Sequence, residues 1–261
     1  MTAPESREAV LARLVDQEGK RVFALARQVC GNVSDSEDLA QETFLAAYRA
    51  LDQLADPENP RPWLYAIARR ACQRLRRRRA GEPAHVESLD ELLPHPAETM
   101  PDASALDEQG PHRDRLRAEA RERVERALAG LPETFRMPLL LADVAELSLP
   151  EIADVLGVKE ATVKTRIHRA RLKLRDVLAA GLPQRTTPPA EHSRRVCLDL
   201  LRARLEALDR RAPFPYSNAA LCERCRAVLA TLDLAAGACA LLAGDEMPPE
   251  LWTRILTAAG S

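Results

Sequence analysis

Aromatic residues make up only 3% of this 261-residue chain and glycine only ten positions. Sheet-rich folds need alternating β-branched and aromatic runs punctuated by glycine turns, and such runs are missing, so the chain is expected to be all-α. Long apolar runs are missing too. The longest, Leu234 to Gly244, is about half of the roughly 20 residues that a membrane span requires. Nothing at the N-terminus resembles a signal peptide. These two absences point to a cytoplasmic protein without a membrane partner, whose six cysteines stay mostly reduced. No nucleophile–base pairing and no glycine-rich phosphate loop is recognisable, so an enzyme is not expected.

A strong net charge is also lacking, since 38 Lys and Arg nearly balance 39 Asp and Glu. The balance conceals segregation. Residues 61–79 hold eight arginines and no acid, whereas residues 80–113 hold eight acids, five prolines and one arginine. The second stretch reads as a flexible acidic linker. It divides a first helical domain, residues 1–79, from a second, residues 114–182, and residues 190–261 form a third segment.

In the second domain, Leu147 to Arg175 encodes two short helices around Gly157. Ser148 and Glu151 form an S-x-x-E capping box, and Pro150 sits in the first turn, where a missing N–H is harmless. Gly157 supplies the turn. In the second helix, Val158, Val163, Ile167 and Ala170 are expected inward. Thr162, Lys164, Thr165, Arg166, His168 and Arg169 are expected outward, a mixture of phosphate-binding cations and base-reading groups suited to a DNA major groove. A solvated basic helix would explain the charge, but not the cap, the glycine and the inward apolar set together.

In the first domain, Ser34 and Glu37 are expected to cap a helix with the apolar stripe Leu39, Ala40, Thr43, Phe44, Ala47, Tyr48 and Leu51. Opposite lie Asp35, Asp38, Gln41 and Glu42. First-turn acids suit the helix dipole, but Asp38 and Glu42 are like charges one turn apart and call for a partner. A third helix carries Trp63, Leu64, Ile67, Ala68, Ala71, Cys72 and Leu75 on one side and Arg69, Arg70, Gln73, Arg74, Arg76 and Arg77 on the other. Such an arginine face repels itself unless it meets anions, which points to nucleic acid rather than an idle solvated face. Trp63 and Tyr65 could stack on an unpaired base, with a core role as the alternative reading of Trp63. Cys30, Cys72 and Cys239 fall on apolar faces and are expected in the core.

The pairing of SDSEDLAQETFLAAYRAL and PWLYAIARRACQRLRRRR with LAGLPETFRMPLLLADVAELSLPEIADVLGVKEATVKTRIHRARLKLR resembles the bacterial extracytoplasmic-function sigma factors. The resemblance covers about residues 6–181. It implies that Asp38, Gln41 and Glu42 dock on the clamp coiled coil of core RNA polymerase. It implies further that Arg61, Trp63, Arg69, Arg70, Gln73, Arg74 and Arg77 hold the opened minus-ten element of promoter DNA. Thr162, Lys164, Thr165, Arg166 and Arg169 would read the minus-thirty-five element. An anti-sigma protein is a further partner that the resemblance admits. The chain departs from the family in carrying Arg70 where Asn is common and Arg74 where Asp is common.

Residues 190–261 lie beyond that match. Cys222-Glu-Arg-Cys225 is a C-x-x-C knuckle, with Cys197 upstream and His192 five residues earlier. The run from Cys197 to Asp233 resembles a small zinc-binding anti-sigma fold, with Asn218 in place of its histidine. Zinc on Cys197, Cys222, Cys225 and His192 is the first expectation, and thiol redox sensing or purely structural cysteines are the alternatives. A tethered module of this kind suggests regulation in cis, either by masking the sigma domains or by supporting their binding to polymerase.

Overall fold

The computed structural model describes residues 6–76, 99–102, 111–189 and 191–260. Among them, ten helices and one two-stranded antiparallel ribbon form an all-α architecture: α1 (Arg7–Cys30), α2 (Val33–Arg49), α3 (Arg61–Arg76), α4 (Pro111–Gly130), α5 (Glu133–Asp143), α6 (Leu149–Leu156), α7 (Glu160–Ala180), α8 (Arg194–Asp209), α9 (Glu223–Leu242) and α10 (Pro249–Ala259). The ribbon pairs β1 (Thr99–Pro101) with β2 (Gln184–Thr186), Met100 opposite Arg185. Most of the expected acidic linker lies outside the described residues. Of its described residues, Thr99–Pro101 are held by this pairing, which leaves Met100 only 7% exposed, and 111–113 already belong to α4.

Two compact units interleave along the chain rather than following it in order. The first gathers Met1–Glu82, Leu140–Glu160 and Leu242–Ser261; the second gathers Pro83–Leu139 and Ala161–Leu241.

In the first unit, α1 begins at Ser6, whose hydroxyl accepts from the Ala9 amide, and ends at Gly31 in the left-handed region, φ 78°. Its apolar stripe, with Leu11, Leu14, Val22 and Phe23, packs with α2 and α3 around Phe44, Leu64 and Tyr65. Each such buried side chain contributes about 1.5–3 kcal/mol. The predicted Ser34–Glu37 capping box does not form. Asn32 is the N-cap instead, its side-chain oxygen accepting from the Asp35 amide at 2.8 Å. Asn at this position serves as well as Ser, and the helix gains a turn's start from it. Asn32→Ala is therefore expected to lower stability by about 1 kcal/mol in urea denaturation, with Ser34→Ala within a few tenths.

Helix α10 completes this unit on the surface of α1 and α2. Leu251 and Ile255 are fully buried, the Trp252 indole donates to Asp16 at 3.0 Å, and Arg254 donates to Glu37 at 2.9 Å. Met247 lies against Gly19, where a side chain added at Gly19 would come within 3.0 Å of its terminal methyl and push it aside. The short α6 packs on α3 in the same unit.

In the second unit, Val124, Leu128, Leu139, Val163, Ile167 and Leu174 are buried. Leu172 of α7 joins a continuous apolar cluster with Leu200, Leu201 and Leu205 of α8 and Leu229 and Leu232 of α9. The described residues contain one helix long and apolar enough to cross a membrane, α9, and half of its most apolar stretch is buried inside the protein.

Candidate nucleic-acid interface

On α2, helical periodicity buries Leu39, Ala40, Thr43, Phe44 and Ala47. Asp38 and Glu42 remain exposed and Gln41 half-buried, so the three expected polymerase-facing side chains stay accessible on one side. The like-charge crowding of Asp38 and Glu42 is eased by Arg74 on α3, whose guanidinium donates to Glu42 at 2.5 Å. Both partners of that pair are half-exposed, so it contributes little to stability.

The arginine face of α3 is divided in its employment. Arg70 is exposed and Arg74 makes the pair with Glu42, while Gln73 and Trp63 are half-buried. Arg61 donates to the Ala145 carbonyl at 2.5 Å and lies 3.0 Å from Glu18. Arg69 donates to the Val155 carbonyl, at the end of α6, at 3.2 Å. These two arginines therefore cap the backbone that leads into and out of α6. Arg77 lies outside the described residues. Tyr65 is not a base-stacking platform: it is fully buried, and its hydroxyl donates to Glu18 at 3.0 Å. Burial, reinforced by the charge of Glu18, pushes the tyrosine pKa well above its usual value and keeps the proton in place. Its sequence position, one residue past the exposed flank of the helix, disguised an inward orientation.

The local signals expected around α6, its N-terminal cap and its closing glycine, form as the sequence dictates. The Ser148 amide donates to the Glu151 carboxylate at 2.8 Å and the Ser148 hydroxyl to the same oxygen at 2.7 Å. Gly157 closes α6 in the left-handed region, φ 66°, with its amide returned to the Ala153 carbonyl.

Helix α7 carries two polar stripes. One comprises Thr162, Thr165, Arg166 and Arg169, which with Thr134 and Phe135 of α5 line an open groove of about 500 Å³. Thr165 is exposed and the other three are half-buried. The second stripe, Lys164, His168 and Arg171, is occupied from within the protein. Lys164 donates to Glu206 at 2.7 Å, His168 lies 2.7 Å from Asp209, and Arg171 donates to the same carboxylate at 2.5 Å. His168, expected outward, is 7% exposed because α8 covers it. Burial alone would raise the Asp209 pKa, but the hydrogen bond from His168 and the charge of Arg171 outweigh it and hold the pKa below its ordinary value. Glu206 is likewise held low by its hydrogen bond from Lys164.

Glu206 and Asp209 were not foreseen as site residues. Their spacing of three, set against cations at Lys164, His168 and Arg171, is the signal that one helix could clasp the other.

The cysteines converge at the far end of α8. The Sγ atoms of Cys197 and Cys225 are 3.5 Å apart, and Cys222 lies within hydrogen-bonding reach of Cys225. Cys222 and Cys225 are buried, and burial, with hydrogen bonds from the two neighbouring thiols, raises the Cys225 pKa far above its usual value. Sulfurs on tetrahedral zinc sit about 3.8 Å apart, from bonds of about 2.3 Å, so this pair has the spacing and donor type that zinc takes. A full ligand set is not formed: among the described residues no group of three or more His, Cys, Asp or Glu is placed to hold a metal. Asn218 is exposed, and His192 is half-buried in the bend before α8. Cys30, Cys72 and Cys239 are buried core residues.

Residues 14–82 match Sigma-70 region 2 and residues 121–174 match Sigma-70 region 4. Over 166 residues the chain is 39% identical to the ECF RNA polymerase sigma factor SigE of Mycolicibacterium smegmatis, covering 64% of this chain and 60% of that protein. It is 32% identical over 173 residues to the ECF RNA polymerase sigma factor SigW of Bacillus subtilis, covering 64% of this chain and 88% of the relative. A solved structure of CnrH in complex with the cytosolic domain of CnrY is 28% identical and superposes with a TM-score of 0.44 over 64% of this chain and 86% of that one. The two matched regions contain the α2 acids, the α3 arginines and the α7 stripes, and leave α8 to α10 unmatched. By the two regions and the likeness to SigE and SigW, the chain belongs to the extracytoplasmic-function sigma factors of RNA polymerase, transcription-initiation factors rather than enzymes.

Proposed function

We propose that this chain docks on core RNA polymerase through Asp38, Gln41 and Glu42, and directs it to promoters whose minus-ten element is held by the α3 arginines and whose minus-thirty-five element is read from α7. The observation that carries this reading is the accessible acid face of α2 standing beside an arginine helix, together with the open Thr162–Arg169 groove of α7. Acids answer a basic docking surface, arginines grip single-stranded phosphate, and the groove side chains suit phosphate and base edges. Acting on polymerase and DNA, the protein works in the cytoplasm.

Residues 190–261 are its regulatory module, responsive to zinc or thiol state through Cys197, Cys222 and Cys225, with His192 the candidate fourth ligand. Bound there, zinc would supply a cross-link between α8 and the start of α9 and keep the thiols ionised. Zinc titration is expected to release protons and to protect these thiols from alkylation, an effect that Cys197→Ser removes.

The sigma reading is tested by run-off transcription with core polymerase on a promoter library. Asp38→Lys with Glu42→Lys is expected to weaken core binding by at least about tenfold and to silence transcription, with duplex DNA binding unchanged. No transcript from the native chain despite duplex binding would show a DNA-binding regulator that does not engage polymerase.

A further inference from the structure

The second stripe of α7, from which the sigma-factor reading takes only Lys164, is held from within the chain. Lys164, His168 and Arg171 recur at i, i+4 and i+7 and so form one line along the helix. The Thr162–Arg169 set lies about a quarter to a half turn away. Helix α8 lies alongside the first line, through the Lys164–Glu206 pair and the shared Asp209 carboxylate. Leu172 fixes the same flank, since it packs into the cluster formed by α8 and α9.

A recognition helix with its side chains is about 10–12 Å across, close to the roughly 12 Å width of the major groove. A second helix packed beside it at about 8–10 Å nearly doubles that width. We propose that α8 is a built-in stop on the recognition helix: while Glu206 and Asp209 hold the Lys164–His168–Arg171 line, α7 cannot enter a major groove, and promoter DNA competes with α8 for the same flank. The inference rests on α7 being the DNA-reading helix of the proposed sigma factor. It places the cis regulation at the DNA-binding face, and the occupant is a helix of this same chain.

The thiols stand on the same helix. Cys197 lies at the start of α8 and the clasp at its end, three turns along, with Leu200, Leu201 and Leu205 between them in one packed cluster. Chemistry that repositions Cys197 against Cys225 therefore acts on a rigid lever whose other end holds α7.

The test uses the full chain and a duplex of random sequence, roughly 30 bp, followed by fluorescence anisotropy at fixed salt. Glu206→Gln removes a half-exposed clasp carboxylate; Asp199→Asn removes one acid from the same helix, paired with Arg202 about two turns before the clasp. Glu206→Gln is expected to tighten duplex binding about threefold more than Asp199→Asn does, and adding Asp209→Asn to bring the gain to about tenfold. Equal gains from Glu206→Gln and Asp199→Asn would reduce the effect to net charge and overturn the proposal. Weaker binding by Glu206→Gln would also overturn it, showing that α8 supports α7 instead of blocking it. Should the double variant fail to fold by circular dichroism, the single comparison decides alone. Run-off transcription is read separately: tighter duplex binding without any transcript from native or variant chain would leave the stop standing and remove the sigma reading.

Discussion

Tyr65→Ala is expected to destabilise the first unit by about 3–5 kcal/mol, a large part of the about 5–15 kcal/mol that keeps a domain folded. The ring is fully buried at the junction of α1 and α3, so truncation opens a cavity that close packing cannot refill. It also strips a donor from Glu18, a carboxylate only 8% exposed. Tyr65→Phe separates the two contributions. The ring stays, the hydroxyl goes, and the loss falls to about 1–3 kcal/mol, the cost of an unsatisfied buried acceptor. Arg61 remains within 3.0 Å of Glu18 and limits the damage. Urea denaturation of both variants measures the difference. A tyrosine serving only to stack on an unpaired base would leave both midpoints at the native value and alter promoter opening alone.

Arg171→Ala is expected to have an effect of similar size, about 3–5 kcal/mol, in the second unit. The Arg171 and Asp209 side chains are 4% and 3% exposed. Removing the guanidinium leaves a carboxylate buried with His168 as its remaining partner, and an uncompensated buried charge costs far more than an intact pair contributes. Replacing both partners by Arg171→Met with Asp209→Leu is expected to recover most of the loss, since neither charge then needs solvation. The pH dependence follows from the lowered Asp209 pKa. Stability from a depressed carboxylate is fully present above its unfolded pKa, about 3.9, and is lost as pH falls through the lower folded value. Without Arg171 burial is less opposed, the folded pKa rises, and acid unfolding moves to higher pH. Thermal melts across about pH 3–7, which spans the range where carboxylates titrate, check the direction.

Much of this architecture is legible from spacing. The apolar stripe of α2 and the Ser148–Glu151 box with Gly157 are local, because cap, breaker and period lie within a dozen residues. What escaped the sequence is long-range. Asn32 displaced the expected Ser34 cap because either residue can accept from an amide one turn on, and the choice depends on how the chain leaves Gly31. Tyr65 and His168 looked outward because a helix's inward face is defined by what packs on it. Glu18 claims the first and Asp209 the second, at separations of 47 and 41 residues. Arg61 and Arg69, typed as phosphate ligands, bind main-chain carbonyls 84 and 86 residues away. Charge type was readable; the identity of the anion or carbonyl that meets it was not.

The docking of α10 on α1 and α2 has a consequence for how the protein is made. Arg254 reaches Glu37 across 217 residues of sequence. At a synthesis rate of about 5–20 residues per second, α1 and α2 leave the ribosome roughly 10–40 s before the helix that covers them. For that interval the surface destined for Leu251 and Ile255 is open to water, to chaperones and to other nascent chains. Completion of the first unit is thus timed by translation of a distant segment, and codons that slow the ribosome between residues 160 and 240 would lengthen the window in which an N-terminal fragment must survive uncovered.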